Sequence, residues 1–506
     1  MEGLRVKTVR NSMLVAGANV GIRAVSIVSS IILARLLDPT DFGLMALALI
    51  LLTTSSQFSG LGMHKALIQT PLHPDRASGH AFLVTLAGGT VLTGVVVVFA
   101  GPFAILLGNG RVAELLVWLA PVILMQSLSL VPEALLQKEL RFGRATAATF
   151  VPEIVYLGVA VGLATAGFGL WSLAYASLIR AFVRMASLML LCPGWAWVFP
   201  RPYEPEVTAA LIGYGLKNTA SGLVSFFNSI LDNLMVGRLL GVRELGFYSR
   251  AYDYTRHTVD GFNNVVGSVL FPSYAKIQHD RERLAAAYAR TLKIVTLFTV
   301  PAALGMFALA PDLVAGLLGE KWLPMVWAFR ILSVMCLVRS LAASTSPVFL
   351  AIGRPSLDLK AGLVVLVLTL ACVPALAGFG IEGVAGAVLA ANLGGFLFNL
   401  RQLKELFPGL VSRLPRTAAP VMLAGVALAG GVEGARALLA GSFPGGPGIL
   451  SLTVLGAWGC VCFLGVLMAA DRSVISEVTS LLSSGVKPGG KEPPPVREVS
   501  GTKPCA

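Results

Sequence analysis

Long apolar runs separated by short polar connections dominate this chain, and they determine its predicted secondary structure. Each run approaches the roughly 20 apolar residues that a helix needs to cross the hydrocarbon core of a bilayer. Strand-like alternation of apolar and polar residues is absent, which argues against an outer-membrane barrel. We predict about fourteen transmembrane helices, over residues 10–36, 42–68, 78–101, 113–136, 145–166, 169–192, 208–236, 245–275, 285–309, 323–351, 356–377, 381–403, 417–438 and 448–470.

An internal repeat organises these runs. The connection RLLDPTDFG at residues 35–43 returns 203 residues later as RLLGVRELG at residues 238–246. A second pair keeps the order at an offset of 211, with AGFGLWSLA at 166–174 and AGFGIEGVA at 377–385. We call 35–43 the first hinge and 238–246 its copy, the second hinge, because each is predicted to join two membrane helices tightly. Duplication on this scale in an apolar chain is typical of transporters.

The repeat predicts the architecture. Each copy holds six helices, an even number, so both copies enter the membrane from the same side and are parallel repeats. The predicted fold is therefore an all-α polytopic membrane protein with two six-helix bundles and two further C-terminal helices. The predicted boundaries are 1–200 and 201–410 for the two lobes, 411–470 for the added helices and 471–506 for a disordered tail rich in proline and glycine.

Charge supports this topology and predicts its orientation. Charged residues make up only 13% of the chain, against about 25% in soluble domains. Predicted loops on the side of the N-terminus carry 18 Lys and Arg, and those on the other side carry 6. The positive-inside rule places both termini in the cytoplasm and both hinges on the periplasmic side. This distribution explains the net charge of +13 without a nucleic-acid partner.

The predicted loops are too short for a soluble catalytic domain. The longest internal connection lies near residues 192–207, there is no ATP-binding P-loop, and no soluble catalytic domain fits between the spans. The six cysteines show neither zinc nor iron–sulfur spacing, so we predict no metal and no cofactor.

Polar residues inside the predicted spans indicate a cavity. A charged side chain at the bilayer centre costs at least about 2.5–3.5 kcal/mol, so each one needs a reason to be there. Arg23 shares one face of the first helix with Ser26 and Ser30, and Lys217 shares one face of the seventh helix with Asp232. The second and eighth helices are also polar at matching depth. We predict that the first two helices of each copy line a shared, water-filled space.

The deep cations outnumber the deep acids, which favours an anionic substrate. The predicted substrate-binding cations are Arg23, Lys217, Arg256 and Arg339. Arginine presents a planar fork of donors to phosphate oxygens, and a low dielectric strengthens the attraction.

Three acids are candidates for coupling transport to a proton or sodium gradient: Asp232, Asp253 and Asp260. A buried carboxyl with a raised pKa can exchange protons, whereas a salt-bridged one does not. The alternative is that Asp253 and Asp260 merely neutralise Arg256, which lies three or four residues away on the same helix. We expect Glu133, Glu153, Arg180 and Arg184 to join helices, and we assign no chemistry to His64.

Four segments carry a family resemblance: ARLLDPTDFGLMALA at 34–48, GLGMHKALIQ at 60–69, RLLGVRELGFYSRAYD at 238–253 and FPSYAKI at 271–277. They resemble the polysaccharide-type lipid-linked oligosaccharide flippases of the multidrug/oligosaccharidyl-lipid/polysaccharide exporter superfamily, over roughly residues 5–410. The resemblance implies two bundles in a V that open alternately to either side of the bacterial inner membrane.

The resemblance also implies a substrate and partners. Such flippases move an undecaprenyl-diphosphate-linked oligosaccharide from the cytoplasmic to the periplasmic leaflet for exopolysaccharide, capsule or O-antigen synthesis. In similar flippases, cavity cations contact the diphosphate-sugar head, which by position implies Arg23, Lys217 and Arg256 here. Polysaccharide polymerase and export proteins are the implied partners, and the two C-terminal helices are expected to offer a groove to the lipid tail.

Three other functions are alternatives: an antiporter, an enzyme of polysaccharide assembly, and a scaffold of the assembly machinery, for which the costly intramembrane arginines have no obvious use. A multidrug or cation antiporter of the same superfamily would favour a cavity richer in acids than in bases. A membrane polysaccharide polymerase or ligase would be expected to carry a large periplasmic loop with catalytic residues, and would leave the duplication unexplained.

Overall fold

The computed structural model describes residues 2–70, 72, 74–192, 198, 204–439 and 449–470. Within these ranges, the side chains of residues up to 16 and of 19, 74–75, 217–221 and 259–269 lie outside the described part. The predicted tail, 471–506, also lies outside it. Every regular element in the described residues is a helix, which confirms the all-α prediction.

Eight helices form the first copy of the repeat. They are α1 (Glu2–Leu36), α2 (Pro39–Ser59), α3 (Met63–Gln69), α4 (Pro74–Leu106), α5 (Arg111–Leu119), α6 (Pro121–Lys138), α7 (Phe142–Thr165) and α8 (Leu170–Leu191). Seven α-helices form the second copy. They are α9 (Pro205–Leu239), α10 (Val242–Lys276), α11 (Arg281–Leu313), α12 (Val326–Ala343), α13 (Ser346–Ala351), α14 (Pro355–Leu376) and α15 (Gly380–Leu406).

Short irregular helices and an added pair complete the described chain. A π-helix at Val314–Leu318 and a 3-10 helix at Glu320–Met325 connect α11 to α12, and a 3-10 turn at Ala377–Phe379 connects α14 to α15. The added pair is α16 (Leu410–Leu438) and α17 (Ile449–Ala470).

Ten helical stretches among the described residues are long and apolar enough to cross a membrane. One of them, Pro355–Leu406, contains both α14 and α15. Helices α1, α9 and α10, parts of which lie outside the described side chains, are not among the ten. The polytopic membrane fold is confirmed, and the number of fourteen spans stays a prediction.

The second predicted span, 42–68, is broken in two. Helix α2 ends at Ser59, and the chain turns through Leu61 and Gly62, whose φ angles are +41° and +68°. This left-handed turn costs little at glycine. Gly62 also lies so close to Gly215 of α9 that a Cβ atom there would clash with that backbone. Helix α3 then starts at Met63.

The two hinges pack directly against each other. A Cβ atom on Gly43 would clash with the carbonyl oxygen of Val242, and one on Gly246 would clash with that of Pro39. Gly43 corresponds to Gly246, and Pro39 to Val242, at the offset of 203. The contact is therefore reciprocal, so the N-terminal ends of α2 and α10 meet backbone to backbone about a local pseudo-twofold axis.

Aromatic side chains extend this contact into the largest apolar core. Trp322 is fully buried, and its ring meets those of Phe42 and Phe247 edge-on at centroid distances of 5.4 and 5.8 Å. Its indole N–H donates to the carbonyl of Ala34 at 2.8 Å. We call this side of the molecule the hinge end, and the opposite side, which holds the connections between α10 and α11 and between α15 and α16, the basic end.

Charged side chains attach the added pair to the second copy. The Arg436 guanidinium of α16 donates to Asp312 of α11 at 2.6 Å and also bonds Glu433. Glu433 in turn accepts from Arg330 of α12 at 2.7 Å, and Ser451 of α17 donates to Asp312 at 3.0 Å. Asp312 is almost completely buried. Helices α16 and α17 are thereby fixed to α11 and α12.

Candidate transport site

Helix α10 lies at the centre of the site because two of its faces carry polar side chains. One face meets the first copy, where the Tyr254 hydroxyl lies 2.8 Å from the Ser30 hydroxyl of α1. Arg250, one turn earlier, donates to the same Ser30 oxygen at 3.3 Å and lies 5.0 Å from the centre of the Phe42 ring. The predicted polar faces of the first and eighth helices thus touch beneath the hinges.

Asp253 lies on this side of α10 and is ion-paired. Its carboxylate is 2.7 Å from the Arg250 guanidinium, three residues earlier on the helix. The sequence suggested Arg256 or His257 as the neutralising partner, and the structure places Arg250 beside this carboxylate.

The other face of α10 turns into the second copy and lines a cavity of about 240 Å³. Asp232 of α9 is 2% exposed there. It accepts hydrogen bonds from the backbone N–H of Asn233 at 2.8 Å and the hydroxyl of Tyr248 at 2.9 Å. Burial opposes the charge of this carboxyl, whereas the hydrogen bonds stabilise it, so the two influences act against each other at Asp232.

Arg339 of α12 supplies positive charge to the same cavity. Its guanidinium donates to the Tyr252 hydroxyl at 2.9 Å, and Tyr252 stacks on Tyr248, which bonds Asp232. The structure therefore brings together two predicted site residues, Asp232 and Arg339, through a pair of tyrosines that the sequence analysis did not assign to the site.

Amide oxygens add acceptors to this cavity. The side-chain oxygens of Asn228 and Asn399 are buried and have no hydrogen-bond partner among the described residues. The walls also include the hydroxyl of Thr369 and the carboxyl of Asp358. Such oxygen-rich surroundings can hold a proton on a carboxylate or a hard cation.

The remaining predicted residues lie elsewhere. Arg23 is half-buried on α1 and Arg256 is half-buried on α10, and neither lines the cavity in the second copy. Lys217 and Asp260 belong to α9 and α10, but their side chains lie outside the described part of the structure.

A second cavity, of about 370 Å³, was missed by sequence reasoning. It lies between α2, α3, α6 and α9, and its walls include Gln57, His64 and Glu133. The Nε2 atom of His64 is buried and has no hydrogen-bond partner among the described residues. The signal for this cavity was the Gly-Leu-Gly turn at 60–62, which bends the chain so that His64 faces inward.

Glu133 connects this cavity to the outer helices. It accepts a hydrogen bond from Arg184 of α8 at 2.9 Å, and Glu153 of α7 pairs with Arg180 at 3.4 Å. These contacts join helices, the role that the sequence indicated for all four residues. Among the described residues, no cluster of three or more His, Cys, Asp or Glu has the arrangement of a metal site.

Comparison with known sequences identifies relatives. A family model described as "Polysaccharide biosynthesis protein" matches residues 32–327. The lipopolysaccharide biosynthesis protein WzxC of Escherichia coli is 28% identical over 71% of this chain and 72% of its own length. The succinoglycan biosynthesis transport protein ExoT of Rhizobium meliloti is 28% identical over 62% of this chain and 63% of its own length.

Comparison with solved structures identifies the fold. The lipid II flippase MurJ in an inward closed conformation superposes with a TM-score of 0.76 and 15% identity, covering 92% of this chain and all of that one. An inward-facing multidrug transporter of the MATE family superposes with a TM-score of 0.63 and 18% identity, covering 77% and 98%. The chain thus shares the fold of these two proteins, as the sequence resemblance implied. Because the family model matches more than half of its length, the chain belongs to the polysaccharide biosynthesis protein family of multi-pass membrane proteins.

Proposed function

We propose that this protein is a flippase that moves an undecaprenyl-diphosphate-linked oligosaccharide from the cytoplasmic to the periplasmic leaflet of the bacterial inner membrane. The observation that carries the proposal is the meeting of polar faces from α1 and α10 directly beneath the packed hinges. Ser30 and Tyr254 touch there at 2.8 Å, and the half-buried Arg23 and Arg256 lie on the same two helices. Membership of the polysaccharide biosynthesis family supports this assignment over an enzyme or an antiporter.

The cations bind the charged head in this mechanism. Arg23, Lys217 and Arg256 attract the diphosphate between the lobes, because guanidinium groups match phosphate oxygens in geometry and charge. The polyprenyl tail stays in lipid while the sugar head occupies the water-filled space. The lobes, residues 1–200 and 201–410, then rock so that access alternates between the two membrane faces.

The packed hinges define the state from which transport starts. Backbone contact at Gly43 and Gly246 closes the hinge end, so the head enters from the basic end. With both termini in the cytoplasm, as the charge distribution predicts, this is the cytoplasm-accessible state. The exported unit is then available to a polysaccharide polymerase and to export proteins on the periplasmic side.

Asp232 is the coupling acid in this proposal. It is buried in an oxygen-lined cavity, whereas Asp253 is neutralised by Arg250. Protonation of Asp232, or binding of a sodium ion beside it, would weaken its attraction to Arg339 across the tyrosine pair. Because α9, α10 and α12 all line this cavity, the change would alter how these helices pack and so bias the direction of rocking.

A complementation assay tests the substrate cations. In a strain that lacks its own flippase, Arg23→Ala and Arg256→Ala should each reduce polymer export more than tenfold, because each removes a contact to the diphosphate. Arg144→Ala, at an exposed position on the basic end, is the control and should export normally at equal membrane abundance. Normal export by both cavity variants would contradict the proposal. Gain of drug resistance without polymer export would favour the antiporter.

A second assay separates coupling from substrate binding. Asp232→Asn should keep binding the lipid-linked substrate while its transport no longer responds to collapse of the proton or sodium gradient. Asp253→Asn is the matched control on the same bundle and should keep the gradient response. If Asp232→Asn transports with an unchanged gradient response, Asp232 is not the coupling acid.

A further inference from the structure

A groove at the basic end of the second copy has no part in the transport cavity. Three connections meet there: α10 to α11, α13 to α14, and α15 to α16. Two cavities, of about 630 and 260 Å³, adjoin along this groove. Arg281, Leu406 and Phe407 line both cavities, so the groove is continuous.

The rim of the groove is basic and its floor is apolar. Four exposed arginines surround it: Arg281, Arg283, Arg354 and Arg413. Arg283 pairs with Asp280 at 3.1 Å, and Glu282 also lies on the rim. In the described part of the chain, the ion pairs include none to Arg281, Arg354 or Arg413. Arg281 in the first turn of α11, Arg354 just before α14 and Arg413 in the first turn of α16 therefore place positive charge around one groove.

The first copy of the repeat provides an internal reference. Arg76, in the first turn of α4, corresponds to Arg281 in the first turn of α11, and it forms a two-pronged ion pair with Glu204. Arg141, just before α7, corresponds to Arg354 just before α14, and it pairs with Glu139 at 2.8 Å. Both arginines of the first copy are thus neutralised within the chain, Arg76 by the residue that precedes α9, whereas Arg281 and Arg354 of the second copy leave their charge available to an external anion.

From this difference we propose that the groove binds the phosphate groups of an anionic phospholipid. The groove lies where α11, α14 and α16 begin, and each of these helices is part of a stretch able to span the membrane. That position is the level of lipid headgroups, where basic pockets between helices recognise anionic lipids. The guanidinium groups bind the phosphate, and the acyl chains follow the apolar floor of Leu284, Leu406 and Phe407.

The bound lipid has a structural consequence that is independent of which glycan is transported. It connects the starts of α11, α14 and α16 at the basic end, where the ion pairs among the described residues include none to Arg281, Arg354 or Arg413. The lipid therefore takes the place that Glu204 and Glu139 have beside the arginines of the first copy. Its loss should loosen the second copy and leave the first unchanged.

Native mass spectrometry of the purified full-length protein tests the proposal. The wild type should retain phosphatidylglycerol in preference to phosphatidylcholine. The variant Arg281→Gln/Arg354→Gln/Arg413→Gln should bind phosphatidylglycerol with a roughly 100-fold lower affinity, as expected from the loss of three basic residues at an anionic headgroup. The matched control Arg76→Gln/Arg141→Gln/Arg144→Gln removes three arginines from the first copy and should bind like the wild type.

Three results would overturn the proposal. They are unchanged phosphatidylglycerol binding by the second-copy variant, an equal loss in the first-copy control, and displacement of the lipid by millimolar inorganic phosphate, which would identify a site for free phosphate. If the triple variant does not yield folded protein, the single variant Arg413→Gln is titrated with phosphatidylglycerol. It should bind several-fold more weakly than the wild type, and unchanged binding would count against the proposal.

Discussion

The two hinges share their backbone packing and differ in their attachments. Gly43 and Gly246 make reciprocal contacts with the carbonyl groups of Val242 and Pro39. The side chains around them have diverged. Arg35, at the end of α1, donates to the carbonyl of Leu317 at 2.8 Å and to that of Gly316, whereas its counterpart Arg238 lies beside Gly108; both side chains are exposed.

Two further residues of the second copy, Lys321 and Trp322, bind the first hinge. Lys321 donates to the carbonyl of Leu37 at 2.6 Å and lies 3.9 Å from Asp38, the residue that caps α2. Trp322 donates to Ala34. The comparison indicates that duplication preserved what the backbone requires, two glycines that allow helix ends to meet. The side-chain contacts differ between the two hinges: those of Arg35, Lys321 and Trp322 attach the first hinge to the connection between α11 and α12.

The largest expected loss of stability comes from adding a methyl group where the two hinges pack against each other. Gly43→Ala and Gly246→Ala should each destabilise the packed state by about 3 kcal/mol, the upper part of the range for overpacking, because the obstacle is a backbone carbonyl that cannot rotate away. Thermal unfolding of the purified variants measures this. Gly158→Ala on α7, where a Cβ atom meets open space, is the control. A large loss of stability in only one of the two hinge variants would contradict the prediction that both glycines are equally required for the contact.

A smaller loss of stability should distinguish the side-chain contacts of Arg35 at the first hinge from those of Arg238 at the second. Arg35→Gln should cost about 1–2 kcal/mol, because it removes charge-assisted hydrogen bonds to two carbonyl groups. The matched Arg238→Gln should stay within about 0.5 kcal/mol of the wild type, as for most exposed positions. Both are measured by the same unfolding assay. Equal losses of unfolding free energy in the two variants would mean that the hydrogen bonds of Arg35 do not stabilise the protein.

Single cysteine substitutions, which should change stability least, test whether both hinges lie on the periplasmic side of the membrane. Thr40 and Arg243 are counterparts at the offset of 203, and both side chains are exposed. Thr40→Cys and Arg243→Cys should both be labelled by an impermeant thiol reagent from the periplasm, with little change in stability. Labelling of either from the cytoplasm would refute the predicted topology.

The sequence was sufficient for the helical fold because its signals are local or periodic. The apolar runs predicted the helices, and the repeated hinge correctly marked where α2 and α10 begin. Asp38 caps α2 together with Asp41, and Gly241 occupies the corresponding position before α10. These features depend on residues close together in the chain.

The site was harder to predict because it depends on which helix faces meet. Hydropathy indicated the depth of Asp232 and Arg339, but it did not indicate that both open into a cavity inside the second copy. His64 was overlooked because the predicted span 42–68 was treated as one straight helix, and the bend at Gly62 depends on the distant Gly215. Pairing of Asp253 with Arg250 rather than Arg256 was likewise a matter of side-chain direction.

The charged connection from Arg436 through Asp312 and Glu433 to Arg330 has a mechanical consequence. Separating such largely buried groups would cost several kcal/mol, so we expect α16 and α17 to move with α11 and α12 as one body. In the proposed rocking mechanism the two moving bodies are then unequal in size, because one contains the helices of the first copy and the other contains those of the second copy together with α16 and α17. Viscous drag from the lipid would act mainly on the larger body, so the first copy should rotate through the wider angle.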